Sequence, residues 1–238
     1  MIETKEIEYF IENKRFIGFM AYNPTIKNPH PGVLIAHDWE GQHEGMREIA
    51  FQLAGMGYVG FAVDMYGDAQ TGSTKDMRRA LMTPLIENRK KINIRMKAAL
   101  EKLKEQPIVN PEKIAAIGYC FGGLCALDLA RGGADIKGVV SFHGRLTPPE
   151  DTTSARIKAR MLVLHGYDDP LVPPRQITEF AKEMTNKKAD WQLHIYGRVQ
   201  HSFTNPKAHD KEMGLFYNEL ADKRSWQSLK DFLSEIFQ

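Results

Sequence analysis

Ile114-Ala115-Ala116-Ile117-Gly118-Tyr119-Cys120-Phe121-Gly122-Gly123-Leu124-Cys125-Ala126-Leu127 is an apolar run that breaks at a glycine-flanked cysteine and resumes with helical spacing. It reads as strand, sharp turn, helix. Glycines 118 and 122 stand two residues to either side of Cys120, a G-x-C-x-G pattern that lifts a nucleophile out of the end of a strand. Such a turn strains the backbone of its central residue, and its neighbours must be small because strand and helix approach closely. Cys120 would then stand at the carboxyl edge of a sheet and at the amino end of a helix, whose partial positive charge favours an anionic sulfur. The competing reading of the same residues is a buried structural cysteine beside a glycine-rich turn.

On both sides of this segment, short apolar strands alternate with helical patterns. Gly32 to Ala36 and Tyr58 to Val63 are continuous apolar runs, expected of strands buried on both faces, and Met46 to Met56 between them has helical spacing that stops at Gly55 and Gly57. Lys75 to Gln106 predicts charged helix interrupted near Pro84. The strand Lys113 to Ile117 enters the turn and the helix Gly122 to Arg131 leaves it. Strands are then expected over Gly138 to Phe142, Arg160 to His165 and Trp191 to Tyr196, and helices over Gln176 to Thr185 and Trp226 to Phe237. Glu3 to Glu12 and Phe16 to Tyr22 predict an opening β-hairpin. The repeated strand-helix units imply an α/β fold, a mostly parallel central sheet with helices on both faces, with chemistry at the carboxyl ends of its strands.

With 238 residues and no repeat, low-complexity tract or linker, the chain is expected to form a single domain, 1–238. Lys plus Arg at 32 against Asp plus Glu at 30 leaves +2, so no strong field points to nucleic acid or an anionic membrane as partner. Cys120 and Cys125 form neither a CxxC pair nor a disulfide framework, which suits a reducing compartment. Met1-Ile2-Glu3-Thr4-Lys5-Glu6 lacks the cationic and apolar regions of a leader, and no stretch reaches the roughly 18 apolar residues of a membrane span. The expected location is the cytoplasm.

Partners for the cysteine should follow later strands. An acidic pair, Asp168-Asp169, follows the Arg160 to His165 strand, and His201 follows the Trp191 to Tyr196 strand. This is the order nucleophile, acid, histidine of α/β-hydrolases. A histidine in reach of the thiol can take its proton, and a carboxylate behind it fixes the tautomer and stabilises the imidazolium. Singly, His201 could be a surface-loop histidine and the aspartates a solvated turn.

Asp64-Met65-Tyr66-Gly67, Ile117-Gly118-Tyr119-Cys120-Phe121-Gly122-Gly123, Gly166-Tyr167-Asp168-Asp169-Pro170-Leu171-Val172-Pro173 and His201-Ser202-Phe203 resemble the dienelactone hydrolase (carboxymethylenebutenolidase) family over nearly the whole chain. The resemblance implies an α/β-hydrolase fold and a triad of Cys120, His201 and Asp169. Asp169 is preferred over Asp168 because the family's acid precedes a Val-Pro pair by three residues. Pro170 also biases the residue before it toward extended backbone. The resemblance further implies backbone N–H groups of Trp39 and Phe121 as the oxyanion hole. It places Asp38 where members usually carry a glutamate that contacts the resting thiol, with Glu40 nearby as a substitute. Asn205 stands four residues after His201, where characterised members have an arginine that helps to bind the lactone carboxylate; a neutral amide cannot form that charge-assisted fork.

The function expected is hydrolysis of a small ester or lactone by acyl transfer to Cys120, with no cofactor and no metal. A thioesterase, or a non-catalytic small-molecule receptor on the same fold, is the alternative, because fold alone never excludes a receptor. A metallohydrolase using His37, Asp38, His43 and Glu44 is weaker, since their spacing fits no familiar zinc motif. The partner expected is a small-molecule substrate, without nucleic acid or membrane; the oligomeric state is open.

Overall fold

A computed structural model describes residues 1–150 and 155–238. They form two compact units, Met1–Ile117 and Gly118–Gln238. The first unit contains β1 (Glu3–Ile11), β2 (Lys14–Tyr22), β3 (His30–Ala36), α1 (Glu44–Gly55), β4 (Val59–Ala62), α2 (Lys75–Ile86), α3 (Arg89–Lys104) and most of β5 (Val109–Tyr119). The second contains α4 (Phe121–Arg131), β6 (Gly138–Phe142), β7 (Arg160–Gly166), α5 (Pro174–Asn186), β8 (Trp191–Tyr196), β9 (His209–Asp210), β10 (Leu215–Phe216) and α6 (Glu219–Ile236). The eight-stranded sheet has the order β1-β2-β4-β3-β5-β6-β7-β8.

The expected hairpin exists, pairing Glu3 with Tyr22 through Ile11 with Lys14. It does not stand before the sheet: β2 also pairs antiparallel with β4, so the hairpin is the antiparallel margin of the same sheet. The pairs β3–β4, β6–β7 and β7–β8 are parallel.

Close approaches show helices on both faces within each unit. A Cβ on Gly60 would meet the Ala50 backbone of α1 at 2.6 Å, whereas one on Gly32 would meet Leu103 of α3 at 3.0 Å. Gly60 pairs with Val33, the neighbour of Gly32, so the two glycines look out of opposite faces and α1 and α3 cover one face each. In the second unit a Cβ on Gly138 would meet Phe232 and Ile236 of α6, whereas Ser141, three residues along β6, touches the Gly123 position of α4. Strand alternation again puts the two helices on opposite faces.

The charged helical stretch breaks at Glu87 and Asn88, near Pro84 as expected, with Pro84 itself inside α2. Two other features differ from the sequence expectation for physical reasons. Helix α6 starts at Glu219, seven residues before the expected Trp226, because the Asn218 side chain accepts the Ala221 N–H and caps it. The two-residue strands β9 and β10 were not expected; so short a pair carries no period to read.

Arg131, at the end of α4, ties three elements together. Its guanidinium donates to both Glu183 oxygens of α5 at 3.0 and 2.7 Å, to Asp128 at 3.4 Å, and to the Leu146 and Thr147 carbonyls that follow β6. Its side chain and that of Asp128 are almost wholly buried. Removing the cation leaves buried carboxylates uncompensated, so Arg131→Met should cost about 3–5 kcal/mol. Calorimetry should show Tm lower by roughly 10 °C. Adding Glu183→Gln should recover part of the loss; a full-stability Arg131→Met would contradict this role.

Candidate active site

The residues around Cys120 are shaped as the glycine spacing requires. Cys120 has φ 53° and ψ −111°, a left-handed backbone value that a side-chain-bearing residue adopts only under constraint. A Cβ on Gly118 would come within 2.0 Å of the Gly122 carbonyl oxygen, and one on Gly123 within 2.9 Å of Gly144 Cα. No other residue type fits those two positions. The Cys120 N–H donates to the Phe142 carbonyl, and its own carbonyl accepts from Gly123 and Leu124, starting α4. Cys120 is half-buried while Cys125 is fully buried.

The carboxylate expected as the acid follows β7. Asp169 is buried, whereas Asp168 is exposed. Asp169 Oδ1 accepts the N–H groups of Leu171 and Val172 at 2.8 and 3.2 Å, leaving Oδ2 to accept from His201 Nδ1 at 2.6 Å. The His201 main chain is clamped to the strand it faces: its N–H donates to Gly214 and its carbonyl accepts from Phe216 in β10. A two-residue ladder thus fixes a residue that the sequence places only in a long loop.

Burial pushes the His201 imidazole toward the neutral form. The charge on Cys120 and the bond to Asp169 outweigh this and raise its pKa to about 10. Cys120 acts on the ring both by charge and by side-chain hydrogen bonding, although His201 Nε2 meets no partner at strict hydrogen-bond geometry. A raised histidine value means that this interaction stabilises the fold fully below about 6.5, the ordinary histidine pKa, and is lost as the pH climbs through the folded value. An NMR titration of His201 should therefore find its proton retained through neutral pH, and Cys120→Ala should lower the midpoint. An unchanged midpoint would show that Cys120 does not act on this ring.

Two further histidines line the same region and were missed as site residues, although both fall at carboxyl ends of strands. His165 is buried, and its Nε2–H donates to the Val172 carbonyl, bracing the acid loop. His143, directly after β6, lies against the His201 ring, with centroids 5.0 Å apart, and its Nε2 meets Thr204 Oγ1 at 2.9 Å. The sequence marks strand-end histidines but not which of them converge.

The remaining expected residues have defined partners of their own. Asp38 Oδ1 accepts the Glu40 N–H at 2.8 Å, and its Oδ2 lies 3.4 Å from His43 Nε2. Burial favours the neutral form of Asp38, but His43 and the Glu40 N–H hold its pKa below the usual carboxylate value. Glu40 pairs with Arg78 at 2.6 Å, and Arg78 also lies over the Trp39 ring, whose carbonyl accepts the Tyr66 hydroxyl. Asn205 Oδ1 accepts the Lys207 N–H, forming a turn. His37 donates through Nδ1 to the Asp38 carbonyl and accepts at Nε2 from the Met65 N–H. Its ring is therefore committed at both nitrogens, against the metal-ligand reading. Among the described residues no three His, Cys, Asp or Glu side chains gather in a metal-binding group. No helix among them is long and apolar enough to cross a membrane.

Comparison with known proteins places the chain in a family. The chain is 36% identical to the solved structure m3DLH, with TM-score 0.95 and coverage of 100% of this chain and 99% of the other. It is 35% identical to a dienelactone hydrolase-like promiscuous phosphotriesterase, P91, from metagenomic libraries, with TM-score 0.94 and the same coverage. A carboxymethylenebutenolidase homolog of Xenopus tropicalis is 26% identical over 194 residues, 78% of this chain and 76% of the relative. The model of the dienelactone hydrolase family matches residues 17–237. With nearly its whole length matched, the chain belongs to the dienelactone hydrolase family, ester hydrolases built on the α/β-hydrolase fold.

Proposed function

We propose that the protein hydrolyses a small ester or lactone by covalent catalysis, with Cys120 as nucleophile, His201 as acid and base, and Asp169 as the carboxylate that orients it. In this reading the Cys120 proton already rests on His201, whose pKa is raised, and the anionic sulfur attacks the acyl carbon. The C–O bond then breaks, with the leaving oxygen taking the proton from His201. Water gives a proton to His201 as it attacks the thioester, releasing the acid and restoring the thiolate beside the His201 imidazolium. The Phe121 N–H, at the first turn of α4, is the oxyanion donor beside the nucleophile, and Trp39 N–H is the second donor that the family resemblance implies. Asp38 is assigned to shaping the turn at Trp39, because its carboxylate already holds the Glu40 N–H.

The observation that supports this reading most is that His201 is held at Nδ1 by a buried Asp169 while Cys120 acts on the same ring by its charge. Asn205 is uncharged, so a carboxylate-bearing lactone gains no charge-assisted fork from it. Similarity to the metagenomic phosphotriesterase supports a second substrate class, phosphotriesters, in which the same sulfur would attack phosphorus. The test is a panel of neutral aryl esters, lactones, thioesters and an aryl phosphotriester, run with wild type and Cys120→Ala side by side. Turnover of an ester or lactone that disappears in the variant supports the proposal. Saturable binding without turnover of any member would favour a receptor instead.

A further inference from the structure

His143 is a buried, polar and strained residue that the proposed chemistry leaves unused. It is 2% exposed, and its backbone φ is 41°. Cys120 and Ser202, next to His201, also hold positive φ, so strain recurs where the three chain segments meet. The His143 ring stands edge-on to His201 at 5.0 Å and 66°, and edge-on to Phe203 at 5.2 Å and 79°. It is tilted against Tyr119 at 6.2 Å. Of its two nitrogens, Nε2 meets the Thr204 hydroxyl at 2.9 Å and Nδ1 is buried without a partner. The Thr204 hydroxyl can donate or accept, so it bonds His143 Nε2 in either tautomer of the ring. Burial, and then the charges of His201 and His165, keep this imidazole neutral, so that the positive charge of the cluster stays on His201.

We propose that His143 is a positioning residue: wedged between the His201 and Phe203 rings and tied to Thr204, it fixes the plane of the His201 imidazole, with Nδ1 on Asp169 and Nε2 turned toward Cys120. The inference rests on the triad reading above. A side chain that only filled space would need neither the hydroxyl bond nor the left-handed backbone. His201 comes from a loop, and without a second wall its ring could turn about the Asp169 bond. The groups that act on it are Cys120 after β5, His143 after β6, His165 in β7 and Asp169 after β7.

The test uses His143→Asn, which tolerates the left-handed backbone but lacks the ring, and Thr204→Val, which removes the hydroxyl from the other side. Each should lower kcat for the best ester roughly 10- to 100-fold, as expected when a reacting group is misplaced by a fraction of its length. KM should stay within about twofold of wild type. The low-field proton resonance of His201 Nδ1–H should broaden or move upfield. The double variant should lose less than the product of the two single losses, since they share one bond. Thr204→Ser should restore what Thr204→Val loses. Wild-type kcat and resonance in folded Thr204→Val and His143→Asn would overturn the inference, as would a raised KM at unchanged kcat, which marks a substrate contact. If His143→Asn does not fold, Thr204→Val decides alone. His201→Asn separates the two levels: full activity in it defeats the triad reading. If it is inactive while the other variants behave as wild type, only the positioning role is defeated.

Discussion

Cys120→Ala is expected to abolish ester turnover, lowering kcat by roughly 10³–10⁶-fold, the range seen when a member of a catalytic unit is removed. The substitution deletes one atom at a half-buried position and leaves the backbone hydrogen bonds from Cys120 to Phe142, Gly123 and Leu124 in place. Loss of activity would therefore report chemistry and not folding, and an unchanged thermal midpoint should accompany it. Iodoacetamide should inactivate the wild type by modifying Cys120, because Cys125 is fully buried inside α4. Substrate binding should survive in the variant. An active Cys120→Ala enzyme, or inactivation that tracks Cys125, would remove Cys120 from the nucleophile's role.

The two adjacent aspartates should separate by orders of magnitude. Asp169→Asn keeps the shape of the side chain, and the Leu171 and Val172 N–H groups can still bond to its oxygen. The amide presents either an N–H or a neutral oxygen to His201 Nδ1, where a carboxylate now accepts at 2.6 Å. The wrong tautomer is then favoured and the imidazolium loses its counter-charge, so kcat should fall by about 10⁴. His201 should also lose part of the influence that lifts its pKa, and hold its proton less firmly. Asp168 is exposed and enters the fold through its backbone N–H to Val199. Asp168→Asn should stay within a few-fold of wild type. Reversed magnitudes would transfer the acid role to Asp168.

Much of the site was legible because its residues sit where local rules operate. Gly118, Cys120 and Gly122 are spaced for a turn in which a Cβ on Gly118 would clash with the Gly122 backbone, and Asp169 precedes a proline that restricts its backbone. Strands β6 and β8 begin and end at the residues expected of them. The start of helix α6 is hidden in the sequence, since its first turns bury only the small Ala221 and the polar Ser225 while Leu220 is largely exposed, and so show no apolar period. Pro84 marks the break only to within a few residues, because its missing N–H and its ring act on the turn before it and not at its own position. The hairpin was legible as a hairpin. Its membership of the sheet was not, because pairing with β4 joins residues some forty positions apart.

From residue order alone came the α/β class, the glycine-flanked turn at Cys120, and the order of Cys120, Asp169 and His201 after successive strands, all of which depend on short-range spacing. Only the tertiary structure chose Asp169's free oxygen for His201, by spending the other on two backbone N–H groups. It alone brought His143, His165 and Thr204 to that histidine, and tied Glu40 to Arg78. These are contacts between segments far apart in the chain, set by how strands and loops pack together, and no local period or spacing encodes them.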